Sequence, residues 1–322
     1  MSIRGGSSSS HCRSSRSILS KALIVGAYGQ DGTILGQQLK AQGVEVVGLG
    51  RGDFASSSQV DTLIKQVNPA QIYYLAAYHH SSQDNMGDDH GLFTRSYAVH
   101  VDGLLSFLEA MRKFAPAAKL FYASSSHVFG RALTSPQNEE TPLSPICPYG
   151  ITKTAGMQIV RYYRQSHGLF AASGILYNHE SPLRRPEFLS RKIVRAAVGI
   201  LKGQENSLIL GDLKARADWG YAPEYTQAMQ LILGLSQPQD FVIASGKSYQ
   251  VEDFVAVVFG ELGLDWRKYV QENPQLLRKN IDRGLLVGDA GLLQTKTGWQ
   301  ARMGLQEIAK VLIAAEKEAD NN

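Results

Sequence analysis

The chain has 322 residues, 43% of them hydrophobic and 19% charged, with a formal net charge of +4. That size suits one large domain or two closely joined domains around a sizeable core. No apolar run approaches the ~20 residues of a membrane span, and the mild excess of Lys and Arg, with only short clusters such as Arg184-Arg185 and Arg191-Lys192, argues against a nucleic-acid-binding protein.

Residues 1–20 are Ser-rich, carry Arg4, Arg13 and Arg16 and contain no acid. In composition they are similar to an organelle transit peptide, but a disordered tail is the preferred reading, and the lack of an apolar core in this stretch argues against secretion. Cys12 and Cys147 form neither a C-x-x-C pair nor a zinc spacing. A reducing, cytoplasmic setting is therefore expected, with no metal site.

Ordered structure is expected from Lys21. Residues 22–25 read as a buried strand, 33–42 as a helix, 44–49 as a second strand, 59–67 as a helix and 72–76 as a third strand. Residues 96–114 carry helical spacing through Val101, Leu104, Leu105, Leu108 and Met111. A strand at 119–123, a helix at 150–168 and a strand at 170–176 follow. Short strands alternating with longer helices predict an α/β fold with a parallel sheet and right-handed crossovers. Beyond residue 180 the pattern is broken by Pro182, Pro186, Pro223, Pro238 and Pro274, as expected of a smaller unit folded against the sheet.

The first strand runs into Gly26-Ala27-Tyr28-Gly29-Gln30-Asp31-Gly32 and then a helix. Glycines at these places permit a tight turn, close approach to a pyrophosphate and close helix–strand contact, with the phosphate on free N–H groups at the helix start. The expected architecture is therefore a Rossmann-type doubly wound parallel sheet with a smaller C-terminal substrate-binding domain. The sheet domain is placed at residues 21–177 with a return at 217–235, and the smaller domain at 178–216 and 236–322. At the tip of the second strand, Gly48-Leu49-Gly50-Arg51 offers no acid for a ribose 2′-OH. A guanidinium there can pair with a 2′-phosphate, so NADP is favoured over NAD; the alternative is a solvated Arg51 with Asp53 facing the ribose.

Ser124-Ser125-Ser126 follows the 119–123 strand, and Tyr149 and Lys153 stand four apart at the start of the next helix, on one face. A phenol titrates near ~10 and is a poor base at neutral pH, but a nearby ammonium stabilises phenolate. Tyr149 can then take a hydroxyl proton while hydride leaves the same carbon for a nicotinamide. Ser125 is expected to hydrogen-bond the substrate oxygen and Lys153 to hold the nicotinamide ribose.

These residues resemble the extended short-chain dehydrogenase/reductase superfamily. Several segments resemble the GDP-mannose 4,6-dehydratase family in particular: Gly29 to Gly32, Tyr122 to Gly130, Pro148 to Lys153, Asn178-His179-Glu180-Ser181-Pro182, Arg191-Lys192-Ile193 and Arg216-Ala217-Asp218-Trp219-Gly220. The resemblance runs from about residue 21 into the C-terminal region. It implies a GDP-sugar substrate, with Ser126 and Asn178 near the sugar or diphosphate and Lys192, Arg216 and one of Arg278 or Lys279 holding the GDP. It also implies cofactor contacts from His179 and Arg184, and a groove lined by Leu75, Ala76, Ala77 and Tyr97, with Asp53 and Phe54 beside the adenine.

Departures from the family pattern stand out in three places, the first of which holds both Ser125 and His127. Ser125 replaces Thr, which keeps the hydroxyl. His127 replaces the Glu that, in the family, exchanges the C5 proton once C4 is oxidised so that water leaves from C6. Imidazole, with a pKa near ~6.5, can act as a base, and the other reading makes His127 structural or substrate-contacting. The short stretch between Leu49 and Ile72 lacks the Arg-rich loop that helps the family make tetramers, so a two-fold homodimer is expected. Tyr78-His79-His80 replaces a stretch that places Ser beside the sugar; with no acid at ligand spacing, metal binding is not expected. The expected activity is redox at C4 of a GDP-hexose, dehydratase first, with a 4-ketoreductase or a 4-epimerase as the alternative. The rival of another class is a non-catalytic NADP-binding module.

Overall fold

The computed structural model describes residues 20–50, 52–53, 56–78, 88–273 and 285–319. Arg51, Phe54, His79, His80, Arg278 and Lys279 lie outside the described residues, as does the N-terminal tail through residue 19.

Strands β1 (Lys21–Val25), β2 (Glu45–Leu49), β3 (Gln71–Tyr74), β4 (Lys119–Ser125), β5 (Phe170–Leu176) and β9 (Phe241–Ile243) form one six-stranded sheet in the order β2-β1-β3-β4-β5-β9. Every pairing in it is parallel. Alternation along the strands feeds two cores, because successive side chains point to opposite faces. Leu23, Val25, Ile72, Tyr74, Leu120 and Tyr122 pack on one face with helices α2 (Ser57–Val67), α4 (Leu104–Phe114) and α5 (Pro148–His167). Ala22, Ile24, Tyr73, Phe121 and Ala123 pack on the other with α1 (Gln30–Ala41) and α7 (Ala222–Gly234). Both faces are covered, which explains why the strands read as near-continuous apolar runs.

The short connection after β2 has a topological consequence. The capped helix α2 returns the chain directly to β3 on the far side of β1, which leaves β2 at the sheet edge. The strand order reverses between β1 and β3, and their carboxyl ends diverge there, the place where open α/β sheets form a ligand crevice.

The second unit has its own core, built by α6 (Leu189–Leu201), α8 (Val251–Glu261) and α10 (Leu305–Ala319). Small sheets complete it: β6 (Asn178–Glu180), β8 (Arg216–Tyr221) and β10 (Ser248–Gln250) in the order β10-β8-β6, and β7 (Leu208–Leu210) paired with β11 (Val270–Glu272). The boundary is interleaved more finely than the sequence suggests. Residues 241–243, expected in the smaller unit, pair with β5 as the sixth strand, and residues 217–221, expected in the return, pair within the small sheet.

The stretch expected as one helix over 96–114 is three pieces. Helix α3 (Asp89–Tyr97) gives way to a wide π turn over Ala98–Gly103 before α4 begins. The wide turn carries the fully buried His100, whose Nε2 accepts the Tyr78 N–H at 3.1 Å and whose Nδ1 meets the Thr152 hydroxyl at 2.8 Å. An acceptor role at Nε2 places the ring proton on Nδ1. Such π turns inside helices concentrate at functional sites. Helix α1 starts at Gln30, earlier than expected, directly after Gly29.

Candidate active site

A cleft of about 1000 Å³ opens at the β1/β3 crevice. Its floor is the glycine turn. Gly26 has φ +95°, and a Cβ there would lie 2.9 Å from the backbone nitrogen of Ala76; one on Gly32 would lie 2.3 Å from the Gly26 carbonyl oxygen. These two glycines set how closely β1, β3 and α1 approach. Gly29 differs. Its φ is an ordinary −79°, and an added Cβ would meet only the Gly26 oxygen, at 3.5 Å. Neither backbone nor packing requires glycine at 29. Its bareness leaves room on the cleft side for an anionic group to reach the first N–H groups of α1, which have no acceptor within the helix. The residues present therefore fit a dinucleotide pyrophosphate.

At one end the cleft is walled by Tyr28, Gly50, Gly52, Ser56 and Ser57. Tyr28 is 78% exposed, and its ring passes so close to Gly50 that a Cβ there would be 2.7 Å away. The Asp53 carboxylate accepts the Gly50 N–H at 2.6 Å. Leu75, Ala76 and Ala77 line the cleft, as expected. Tyr97 ends α3 and is half exposed, and its neighbours Ala98 and Val99 form the wall instead.

Ser125, Ser126, His127, Tyr149 and Lys153 converge on the same cleft. Strand β4 ends at Ser125, and a 3₁₀ turn over Ser126–Val128 follows, with the His127 N–H donating to the Ser125 hydroxyl. Ser126 is buried in that turn. Helix α5 brings Tyr149 in its first turn, and the Tyr149 phenol is hydrogen-bonded with Ser125. Gly150 allows this contact, since a Cβ there would lie 2.5 Å from the His127 carbonyl oxygen. The His127 ring stands edge-on to Tyr149 at 5.6 Å, and His100 does so from another side at 5.2 Å. The buried Lys153 donates to the Ala123 carbonyl at 2.6 Å, with Nζ 5.8 Å from the Tyr149 ring centre.

Burial works against the expected acidification of Tyr149. It pushes the phenol well above its ordinary value, against the Ser125 hydrogen bond that pulls it down, and it lowers the Lys153 ammonium to about 7.

The second unit reaches the cleft through β6. His179 directs Nδ1 at the Tyr177 carbonyl, 2.7 Å away, and Nε2 at both oxygens of Asp31, each 3.0 Å away. A carbonyl and a carboxylate only accept, so both ring nitrogens carry protons and the pair is an imidazolium–carboxylate. Burial opposes the charge on each, yet the partner's charge prevails: His179 is shifted up and Asp31 down. His179 also stacks on Tyr225 at 4.7 Å. Gln30 donates to the His179 carbonyl and accepts from Ser181. The helix start beneath the glycine turn is thus strapped to the smaller unit. Arg184 donates to the His179 carbonyl at 2.9 Å and pairs with Glu180 at 3.2 Å, while Asn178 lines the cleft. Lys192 borders a second cavity of about 370 Å³ with Arg195, Glu187 and Glu205, and its amine reaches the Ile209 carbonyl. Arg216 is exposed, its guanidinium held by Ser248.

Sequence reasoning missed His100, Tyr28 and Cys147. His100 carried no signal beyond a helical register. Tyr28 stood inside the quoted glycine motif but reads there as an arbitrary residue. Cys147 was set aside because it and Cys12 form neither a C-x-x-C pair nor a zinc spacing; its sulfur lies 3.6 Å from His127 Nδ1. Among the described residues no cluster of His, Cys, Asp or Glu could hold a metal, and no helix is long and apolar enough to cross a membrane.

Known proteins with similar folds and sequences agree with this geometry. In structure the chain is similar to RMD from Pseudomonas aeruginosa complexed with NADPH, at a TM-score of 0.80 and 17% identity over 93% of this chain and 99% of that one. It is also similar to a UDP-glucose 4-epimerase from Thermus thermophilus in complex with NAD, at 0.77 and 21% over 93% and 99%. Those likenesses establish the fold. In sequence the chain is 34% identical to GDP-mannose 4,6 dehydratase 2 of Arabidopsis thaliana, over 92% of this chain and 87% of that protein. It is 32% identical to the GDP-mannose 4,6 dehydratase of Dictyostelium discoideum, over 94% and 97%. The sequence profile of GDP-mannose 4,6 dehydratase matches residues 48–312. The chain belongs to the GDP-mannose 4,6-dehydratase family of NAD(P)-dependent sugar-nucleotide enzymes.

Proposed function

We propose that the protein is an NADP-dependent GDP-mannose 4,6-dehydratase in which His127 takes the place of the family's C5 carboxylate. The observation that carries this reading is the convergence of Ser125, His127, Tyr149 and Lys153 on one cleft with the glycine turn. The α1 N-terminus and Gly29 would hold the pyrophosphate, Lys153 the nicotinamide ribose and Arg51 the 2′-phosphate. Lack of an acid in Gly48-Leu49-Gly50 supports NADP over NAD. Arg184 and His179 act at the cofactor indirectly, by fixing the segment that faces it.

Asn178 and Ser126 would contact the sugar. Lys192, next to Arg195 in the second cavity, together with Arg216 and Arg278, would bind the GDP, because a diphosphate in a cleft needs several cations. When bound, the cofactor supplies a hydride acceptor and, later, a hydride donor. Ser125 orients the C4 hydroxyl, and Tyr149 would accept its proton as phenolate, which the Ser125 hydrogen bond, the Lys153 ammonium and the positive charge of a bound nicotinamide would stabilise against burial. His127 then removes the C5 proton as the C6 hydroxyl leaves, protonated to water by the proton Tyr149 took from C4, and returns a solvent-exchangeable proton to C5 when C6 is reduced. A homodimer is the assembly we infer from the short β2–β3 connection.

One observation favours a second reading. The loss of the carboxylate at His127 suits an enzyme confined to C4, a 4-ketoreductase or a 4-epimerase. Incubation with GDP-mannose in D₂O followed by mass spectrometry decides. Redox-neutral loss of one water with deuterium entering at C5 is the expected result. NADPH consumption by a 4-keto sugar without dehydration would establish the reductase. An unchanged GDP-mannose mass with inversion at C4 would establish the epimerase, and tight NADP binding with no turnover of any of these sugars would leave only a binding module.

A further inference from the structure

We propose that Cys147 is a positioning residue for His127: the imidazole donates its Nδ1–H to the thiol sulfur, which keeps Nε2 as the basic nitrogen. The inference rests on reading His127 as the C5 acid–base. Its own support lies in where the thiol sits. Cys147 is the N-cap of α5, and its sulfur accepts the Gly150 N–H at 3.4 Å. Ser, Thr, Asp and Asn are the preferred caps, and sulfur is a weak acceptor, so cysteine is a poor choice for that task alone. The same sulfur also stands 3.6 Å from His127 Nδ1, within reach of a thiol contact because sulfur is large.

The cap of one element and the ring of another are thereby joined. Three contacts hold the 3₁₀ turn after β4 against the first turn of α5. The sulfur meets Nδ1, the Tyr149 ring stands edge-on to the imidazole at 5.6 Å, and the His127 carbonyl fills the space beside Gly150. Which ring nitrogen carries the proton in a neutral histidine is set by the bond the other nitrogen makes. A sulfur that takes one N–H from the helix start has a second lone pair that can take the Nδ1–H. When Nε2 takes the C5 proton the ring becomes imidazolium, with Nδ1–H still held by sulfur. When the proton is returned the starting tautomer is restored, so no proton is gained or lost over the cycle.

The test begins with ¹⁵N-histidine NMR of the wild-type holoenzyme, with the His127 signals assigned by their absence in His127→Gln. The expected spectrum shows His127 with its proton on Nδ1; a ring protonated on Nε2 would overturn the proposal with no variant needed. In Cys147→Ala the tautomer should redistribute, and C5 deuterium exchange should fall at least 10-fold. The transient NADPH absorbance that reports C4 oxidation should change less than 2-fold. Cys147→Ser should restore exchange to within about 3-fold, because a hydroxyl accepts the same N–H. Unchanged ¹⁵N shifts and exchange in Cys147→Ala would refute the positioning role. Wild-type exchange in His127→Gln would instead remove His127 as the base, whatever the tautomer shows, so the two failures are separable.

Discussion

Replacing Asp31 by Asn removes a charge from the strap between the glycine turn and the smaller unit while keeping its shape. At 3.0 Å, with an effective dielectric of about 20, the attraction between Asp31 and His179 is roughly 5 kcal/mol. Dehydration of two groups whose side chains are 19% and 11% exposed offsets much of this, and a net contribution of about 1–3 kcal/mol is expected. The sign follows from the shifts. His179 is raised from 6.5, so its share is fully present below that value and is lost as pH rises through the folded value. Asp31 is lowered from 3.8, so its share is present above that value and is lost as pH falls through the folded value. The complete pair therefore exists between these limits. For a chain of this size ~1 kcal/mol corresponds to about 2 °C in Tm. Thermal melts followed by circular dichroism should show wild type ahead of Asp31→Asn by about 2–6 °C near pH ~6, with the gap narrowing as the pH is raised and His179 loses its proton. A gap that stays the same size across an alkaline pH series would refute the ion pair.

Tyr149→Phe should lower kcat by about 10³-fold or more while the NADP Kd, measured by calorimetry, changes less than about 3-fold, since only the acid–base hydroxyl is lost. Gly29→Ala should weaken NADP binding by about 10-fold or more with Tm unchanged, because the new methyl group meets the cleft rather than the protein; a large drop in Tm would show that the glycine serves the fold. Gly150→Ala places a Cβ 2.5 Å from the His127 carbonyl oxygen. It should cost about 1–3 kcal/mol in denaturant melts, with activity falling further than stability.

Residues whose role is fixed by local pattern were legible in the sequence. The β1 run, the glycine turn and α1 announce themselves because a short continuous apolar strand, a tight turn and a helix start each have a local signature. That Ser125, Tyr149 and Lys153 share one cleft was expected because the chain order of strand end and helix start is itself the constraint. What stayed hidden depends on residues distant in the chain. His100 looks like a core position in a long helix; partners such as Tyr78 and Thr152, from two other segments, make a buried imidazole tolerable. The acidification of Tyr149 by Lys153 was inferred from spacing, and burial, which pushes the phenol the other way, was not foreseen, because spacing along a helix gives proximity but says nothing of how much water remains. Likewise β9 was assigned to the smaller unit because a three-residue strand leaves almost no pattern in the sequence.

The substitution at His127 gains a physical account from the same long-range view. A carboxylate accepts and releases a proton through either oxygen, so it needs no fixed tautomer. An imidazole presents two unlike nitrogens, and exchange of one for the other requires a partner that tells them apart. That partner has to come from the element facing the ring, which here is the first turn of α5, brought within contact by Gly150. The residue of that turn whose side chain reaches the ring's Nδ1 is the N-cap, and in this chain the N-cap is Cys147. A change from carboxylate to imidazole at the end of β4 is therefore coupled to the identity of one residue 20 positions later. Restoring the carboxylate alone, by His127→Glu, would set an anion beside that sulfur instead of a ring that donates to it. Full recovery of a carboxylate-type pH profile is expected only when Cys147→Ser accompanies it, because a hydroxyl can donate to the carboxylate far better than a thiol.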